Sequence, residues 1–321
     1  MTERGDHTGM TQHLLAIDDL EPGQLRTLLD LARSHADADP QTESRTQLSG
    51  VTVAQLFYEP STRTRCSFEI AARRLGADVL NLDINHTSTV KGETVVDTVR
   101  TLAAMGVRLF VIRHGDARVV QAAADVLPPN CHLLNAGAGT RQHPTQALLD
   151  MLTLMRAGFD FARLDISIVG DLRHSRVAAS AVEALRMLGA ASIRMGGPEG
   201  FLPDNAPAGV SLHQDLKETI QGAAVIMALR IQRERIAADV LTDPQLAHPT
   251  AYHEQWGLNE ARVAQWAPSA RVLHPGPMNR GVEIDDELAD GPRSLILDQV
   301  QNGVAARMAA LTWLFHGDSI L

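Results

Sequence analysis

Very little in this chain could staple it, anchor it in a membrane or draw it to a polyanion. Its 321 residues include two cysteines, Cys66 and Cys131. That is too few for a multi-bridge framework, and neither belongs to a Cys-x-x-Cys pair or a Cys/His cluster. Both are read as reduced packing residues, and no metal or other cofactor is expected. No apolar run approaches the roughly 18 residues that a membrane span needs. The opening stretch, Met1 to His7, lacks the apolar core of a signal peptide, so the expected location is the cytoplasm. Aromatic residues make up 4% of the chain and the formal charge is -9. Trp256, Trp266 and Trp313 are not interleaved with basic runs, so nucleic acid is not an expected partner. Nucleotide signatures are missing too. Gly137-Ala138-Gly139-Thr140-Arg141-Gln142 lacks the third glycine of a dinucleotide fingerprint, and no Gly-Lys-Ser/Thr occurs. A hydrophobic content of 45% is that of an ordinary soluble protein long enough for two domains.

Against that plain background, Ser61-Thr62-Arg63-Thr64-Arg65 sets three hydroxyls and two guanidinium groups at a point where a strand gives way to a helix. Val51 to Tyr58 has the apolar run of a buried strand, Glu59-Pro60 forms the turn, and Ser61 stands at the N-cap position. Thr64, Phe68, Ala71 and Leu75 then line one helical stripe, and Gly76 can end the helix. Backbone N–H groups of the first turn, the positive end of the dipole and the arginines would converge on one spot that suits a phosphate. The pentapeptide alone is read equally well as a capped surface helix with solvated arginines.

Polar or turn-forming residues recur at the ends of other apolar runs. Arg113 follows Leu109 to Ile112, Arg230 follows Ala223 to Leu229, and His274-Pro275-Gly276-Pro277 follows Val272-Leu273. In an open α/β sheet, ligands sit at the carboxyl ends of strands, so these segments point to one crevice. Strand and helix signals alternate along the chain with no internal repeat, which predicts an α/β fold of two doubly wound domains with parallel sheets and a site in the cleft between them. Met1 to about Met10 reads as a disordered tail, and Leu20 to about Ala38 as a helix burying Leu25, Leu28, Leu29 and Ala32. Met151 to Phe161 is expected to form a connecting helix and hinge. Leu164 to Val169 should open the second unit, and about Val304 to Phe315 should form the last helix.

The ordered set of motifs resembles the aspartate carbamoyltransferase catalytic chains from about the first helix to the C-terminus. Ser61 to Arg65 is similar to that family's carbamoyl phosphate loop, and Lys91-Gly92-Glu93-Thr94 to its mobile lysine loop. Arg113-His114 matches the next strand end and Gln142-His143-Pro144-Thr145-Gln146 the carbamoyl-binding turn. Gly170-Asp171-Leu172 with Arg176, and Arg230 to Arg235, match two aspartate-binding segments, and His274 to Pro277 closes the set. Seven motifs in one order are far more specific than any single one.

The resemblance implies transfer of a carbamoyl group from carbamoyl phosphate to the amino group of L-aspartate, a step of pyrimidine biosynthesis, with no covalent intermediate. It places Ser61, Thr62, Arg63 and Thr64 on the phosphate, with Arg63 at the departing oxygen. Thr64, Arg113 and His143 would donate to the carbonyl oxygen. Gln146 and the backbone carbonyls of Pro275 and Gly276 would receive the carbamoyl NH2, and the Gly276–Pro277 peptide bond would be cis. Arg176, Arg230, Gln232 and Lys91 would hold aspartate, whose carboxylates suit planar bidentate guanidinium groups. Residues 1–145 with 303–321 would bind carbamoyl phosphate, and residues 146–302 aspartate. The lysine loop would reach a neighbouring subunit's site in a homotrimer, with room for regulatory chains or a dihydroorotase in a larger assembly. Two positions depart from some relatives. Thr87 or Ser88 supplies the loop hydroxyl, and Gly276 replaces a leucine whose role rests on its backbone carbonyl. Ornithine carbamoyltransferases share the phosphate loop and the His-Pro-x-Gln turn, but the basic segment Arg230 to Arg235 would repel a cationic substrate. An inactive binding homologue is argued against by the complete set Arg63, Thr64, Lys91, Arg113, His143 and Gln146.

Overall fold

The computed structural model describes residues 12–39, 46–82, 92–139, 142–232 and 248–317. Lys91, Thr87, Ser88, Arg233, Arg235 and the amino-terminal tail lie outside them. The first sheet is built from β1 (Thr52–Phe57), β2 (Asp78–Leu82), β3 (Leu109–His114) and β4 (His132–Ala138), all parallel and ordered β2-β1-β3-β4. The second contains β5 (Asp165–Val169), β6 (Ser192–Gly196), β7 (Val210–His213), β8 (Val225–Ala228) and β9 (Arg271–Leu273). These strands are also parallel, ordered β7-β6-β5-β8-β9. In each sheet the chain winds outward one way, returns and continues the other way. The reversal falls between β1 and β3 in one sheet and between β5 and β8 in the other, and a crevice opens at the carboxyl ends of strands at such switch points.

Both faces of both sheets are covered, as parallel sheets require. Along β3, Leu109 and Val111 face one core while Phe110 and Ile112 face another, the period-two alternation of a strand. The second of these cores is closed by α3 (Val95–Ala104) and α4 (Ala117–Asp125). The first is closed by α1 (Pro22–Asp37) and α2 (Thr62–Arg74). That first core does not stop at the domain. It continues through Leu148, Met151 and Leu152 of α5 (Pro144–Arg156) to Ile166 and Ile168 of β5, and on to α6 (Arg176–Met187). The outer face of the second sheet is packed by α7 (Leu216–Ile220), α8 (Pro249–Trp256), α9 (Glu260–Trp266) and α10 (Asp286–Asp290). The last helix, α11 (Ile296–His316), returns across the first domain and packs on α1, α5 and α2.

Three expectations are corrected. The helix expected over Met151 to Phe161 begins at Pro144 and ends at Arg156, followed by a single 3-10 turn at Phe161–Arg163. Proline lacks the N–H that a first-turn residue would leave unpaired, so the His-Pro turn starts a helix. The last helix begins at Ile296, ahead of the expected Val304. Gly303 lies inside α11, where a Cβ would meet Arg307 Nη1 at 2.8 Å and Leu149 Cδ2 at 3.4 Å. Cys131 is a buried packing residue as expected, whereas Cys66 is exposed on α2; both are free. The Gly276–Pro277 bond is cis. Among the described residues no helix is long and apolar enough to cross a membrane.

Candidate active site

The start of α2, where a phosphate is expected, is distinguished by what its first turn omits. Ser61 is the N-cap of α2, but its hydroxyl makes no capping bond, and the first turn holds no acidic residue. By contrast Thr94 caps α3, Asp116 caps α4 and Ser175 caps α6 with side-chain oxygens. At Ser61 the orphan N–H groups and the positive dipole end are therefore left uncompensated by side chains, the arrangement that favours a bound anion. Thr64 is buried beside the core, while Thr62 and Arg63 reach solvent. Partial burial, then the neighbouring Arg230 cation, lowers the Arg63 pKa. A guanidinium remains charged through neutral pH all the same.

Arg63 also touches the turn after β9. Gly276 has φ +66°, and a Cβ there would stand 2.8 Å from Arg63 Cζ. Glycine thus meets a backbone requirement and leaves space for the guanidinium. The turn is braced from inside. Gly276 N–H donates to His274 Nδ1 at 2.8 Å, which leaves the proton on Nε2 facing Glu283 Oε1 at 3.2 Å. Asn279 N–H donates to the same carboxylate oxygen.

The register Phe57↔Arg113 puts Glu59 just past the end of β1 beside Arg113. Its Oε2 lies 3.6 Å from Arg113 Nε and 2.9 Å from Arg176 Nη2. Arg113 Nη1 also donates to Ala136 O, and Arg176 Nη1 to Gly139 O. Gly137, at φ +119°, lets both cations approach, since a Cβ would stand 3.1 Å from Arg113 Nη1 and 3.2 Å from Arg176 Cζ. The sequence assigned Glu59 only to a turn. Its role as the counter-charge shared by Arg113 and Arg176 was missed.

His143 is the N-cap of α5 and is buried, with its backbone N–H donating to Ser180 Oγ at 2.9 Å. Burial first, and then the Arg113, Arg176 and Arg307 cations, hold its pKa well below 6.5. At neutral pH it is an uncharged imidazole with one N–H to offer. One turn along, Gln146 Nε2 donates to Asp150 Oδ1 at 2.9 Å.

On the second sheet, Asp171 ties the two segments assigned to aspartate. Its Oδ1 lies 2.8 Å from His174 Nδ1, and its Oδ2 accepts from Gln232 N at 3.2 Å. Gln232 Nε2 donates to His174 O. Arg176 is buried at the start of α6 and Arg230 half-buried just past β8. The structure thus brings Glu59, Arg113, Arg176 and His143 into one group and Arg63, Arg230 and Gly276 into another. Among the described residues no cluster of His, Cys, Asp and Glu could hold a metal ion.

Asp150 was also missed. Burial pushes its carboxyl up from 3.8 to about 7, against the opposing pull of Gln299, Gln146 and Arg307. Between those values the folded chain keeps a proton that the unfolded chain has lost. The resulting contribution favours folding at low pH and fades as pH rises through about 7. Asp150→Asn should therefore gain in Tm relative to the parent as pH rises from about 4 to about 7, then hold a constant difference. Thermal melts across that range check this, and a difference independent of pH would show that Asp150 does not titrate there.

The chain is similar to known proteins over nearly its whole length. A relative from Xylella fastidiosa (strain 9a5c), named aspartate carbamoyltransferase catalytic subunit, is 50% identical over 313 residues, covering 96% of this chain and 95% of its own. Among solved structures, aspartate transcarbamoylase from Trypanosoma cruzi in complex with carbamoyl phosphate and aspartate superposes with a TM-score of 0.81 at 28% identity. That match covers 94% of this chain and 96% of the other. Ornithine carbamoyltransferase from Pyrococcus furiosus superposes as well, with a TM-score of 0.82 at 26% identity over 96% and 98% of the two chains. The carbamoyl-phosphate-binding domain model of the aspartate and ornithine carbamoyltransferases matches residues 12–156, and the Asp/Orn-binding domain model matches residues 162–314. Across both domains, the chain belongs to the aspartate/ornithine carbamoyltransferase family.

Proposed function

We propose that this chain transfers the carbamoyl group of carbamoyl phosphate to the amino group of L-aspartate, giving N-carbamoyl-L-aspartate and phosphate in pyrimidine biosynthesis. The observation that carries this reading is the placing of Arg63 with Arg230, and of Arg113 and Arg176 with His143, past the carboxyl ends of parallel strands. Two anionic substrates need such a field, and an acidic protein can concentrate it locally in a cleft.

The chemistry assigns each group. The amine nitrogen bonds to the carbonyl carbon, the carbon–oxygen bond to phosphate breaks with its electron pair leaving on the phosphate, and the proton that the amine loses is taken up by the departing phosphate. Ser61, Thr62, Arg63 and Thr64 hold the phosphate at the open N-terminus of α2, with Arg63 at the departing oxygen. Thr64, Arg113 and neutral His143 donate to the oxygen on which charge develops, a preorganised set of donors. Gln146 and the carbonyls of Pro275 and Gly276, beside Pro277, receive the carbamoyl NH2. Arg176, Arg230, Gln232 and Lys91 hold aspartate. Pairing the two substrates in one geometry supplies much of the rate, and no protein nucleophile is required.

Aspartate is favoured over ornithine on two grounds. Arg176 and Arg230 suit carboxylates and would repel an ammonium side chain. The relative at 50% identity carries the aspartate name. Residues 1–145 with 303–321 serve carbamoyl phosphate in this reading and residues 146–302 serve aspartate, in a cytoplasmic homotrimer whose lysine loops cross between subunits. Carbamoyl transfer measured in parallel with aspartate and with ornithine tests the proposal. Product is expected with aspartate alone, and turnover of ornithine at a comparable rate would overturn the assignment.

A further inference from the structure

At the bottom of the site lies a carboxylate that no reaction step uses. Asp150 is 0% exposed, on α5 one turn beyond Gln146. Its Oδ1 accepts two side-chain amides, from Gln146 Nε2 at 2.9 Å and from Gln299 Nε2 of α11 at 2.7 Å. Its Oδ2 has no hydrogen-bond partner among the described residues. Arg307, also on α11, is the charged neighbour that acts on it.

An amide held by its nitrogen has its oxygen turned the other way. With Nε2 anchored on Asp150, Gln146 keeps Oε1 and one N–H for other partners, and the anchor opposes the amide flip that would exchange its oxygen for the full NH2 at the ligand. A glutamine free to rotate would offer its donor NH2 equally well, and a donor facing the carbamoyl NH2 is repulsive. The same logic applies to Gln299. Its Nε2 is fixed on Asp150, and its Oε1 accepts from His274 N–H at 2.9 Å. That bond holds the first residue of the turn whose carbonyls, at Pro275 and Gly276, face the same NH2. One buried oxygen thus sets the polarity of two acceptor groups on segments far apart in sequence. The proton that Asp150 takes up near neutral pH has Oδ2 to go to, so Oδ1 stays an acceptor in either state.

We infer that Asp150 is the positioning residue that makes the site select an acyl phosphate carrying an NH2 group over one carrying a methyl group. The inference rests on the carbamoyl-transfer reading above and deepens it. The probe is acetyl phosphate, which keeps the phosphate and the carbonyl but replaces NH2 with CH3, so it makes no use of the two acceptors. Leaving polar groups of a site unmatched to the ligand discriminates far more strongly than a small change in shape.

The test compares the parent with Asp150→Leu, Asp150→Asn and Gln299→Leu. It measures KM for carbamoyl phosphate at saturating aspartate and the inhibition constant of acetyl phosphate against it. Asp150→Leu is expected to raise the carbamoyl phosphate KM by about 30-fold while the acetyl phosphate constant moves less than about threefold. Asp150→Asn retains an oxygen for both amides and should restore the preference to within about fivefold of the parent. Gln299→Leu frees only the turn and should raise KM by about fivefold, again without moving acetyl phosphate. Parallel weakening of both ligands, or an unchanged ratio in Asp150→Leu, overturns the inference. If Asp150→Leu does not fold, Gln299→Leu decides by the same ratio. A parent active on aspartate with an unmoved ratio would sink the positioning role alone, whereas a parent with no carbamoyl transfer would sink both.

Discussion

Arg63→Ala is expected to lower turnover by about 10²- to 10³-fold, the size of effect seen when one preorganised charged donor is removed from a transition-state site. The reasons are positional. Arg63 is the second residue of α2, at a helix start with no capping bond and no acidic residue in its first turn. Its guanidinium lies against Gly276 of the turn after β9 and within the field of Arg230. In the proposed reaction the leaving phosphate gains charge as the carbon–oxygen bond breaks, and a fixed cation there lowers the barrier more than it tightens ground-state binding. The loss should therefore fall on kcat more than on KM. Folding should be spared, because Arg63 is exposed and alanine is at least as good a helix former. Steady-state assays beside thermal melts separate the two effects. Near-normal kcat in a folded Arg63→Ala enzyme would show that the leaving-group role belongs elsewhere.

The sequence made the local parts of this molecule readable, and the structure supplied the distant pairings. The strand before Ser61, the buried stripe Thr64, Phe68, Ala71 and Leu75, and the core face of α1 all follow from short-range periodicity, and all are found as read. The start of α11 was hidden because its first turns show no single apolar stripe. Ile296 is buried there while Leu297 and Val300 are exposed, and Gly303 sits in the middle. Glu59 looked like a turn residue because its partner Arg176 is 117 positions away. Asp150 did carry a local signal, since Gln146 and Asp150 are four apart and share a helix face. Its second amide, from Gln299, is 149 positions away and could not be read from spacing. The same holds for Asn302, which donates to Thr153 across the same pair of helices. The long-range bonds that orient the site come from the way α11 folds back over α5, a tertiary fact that no window of sequence contains.

Assembly gives the second large effect. The chain contains two lysines, Lys91 and Lys217. Lys217 lies on the short helix α7, beside the second sheet. Lys91 lies outside the described residues, in the segment proposed to visit a neighbouring subunit. If it does, Lys91→Ala and Arg113→Ala chains should each be nearly inactive alone, for different reasons. In the first, every site has its resident Arg113 but lacks the visiting lysine. In the second, every site receives a lysine but lacks the donor that meets the carbonyl oxygen. Mixed after mild dissociation in equal amounts, the chains should complement each other. Half of the sites then belong to a chain with intact Arg113, and half of those face a neighbour with intact Lys91, so about one site in four should regain activity in a cyclic trimer with one-directional sharing. Subunit exchange is followed with differently tagged chains, and recovery by N-carbamoyl-L-aspartate formation. Recovery that rises with the fraction of hybrid oligomers supports a shared site. Exchange between two inactive chains with no recovery would mean that Lys91 serves its own subunit's site, because in that case every site still carries one of the two lesions.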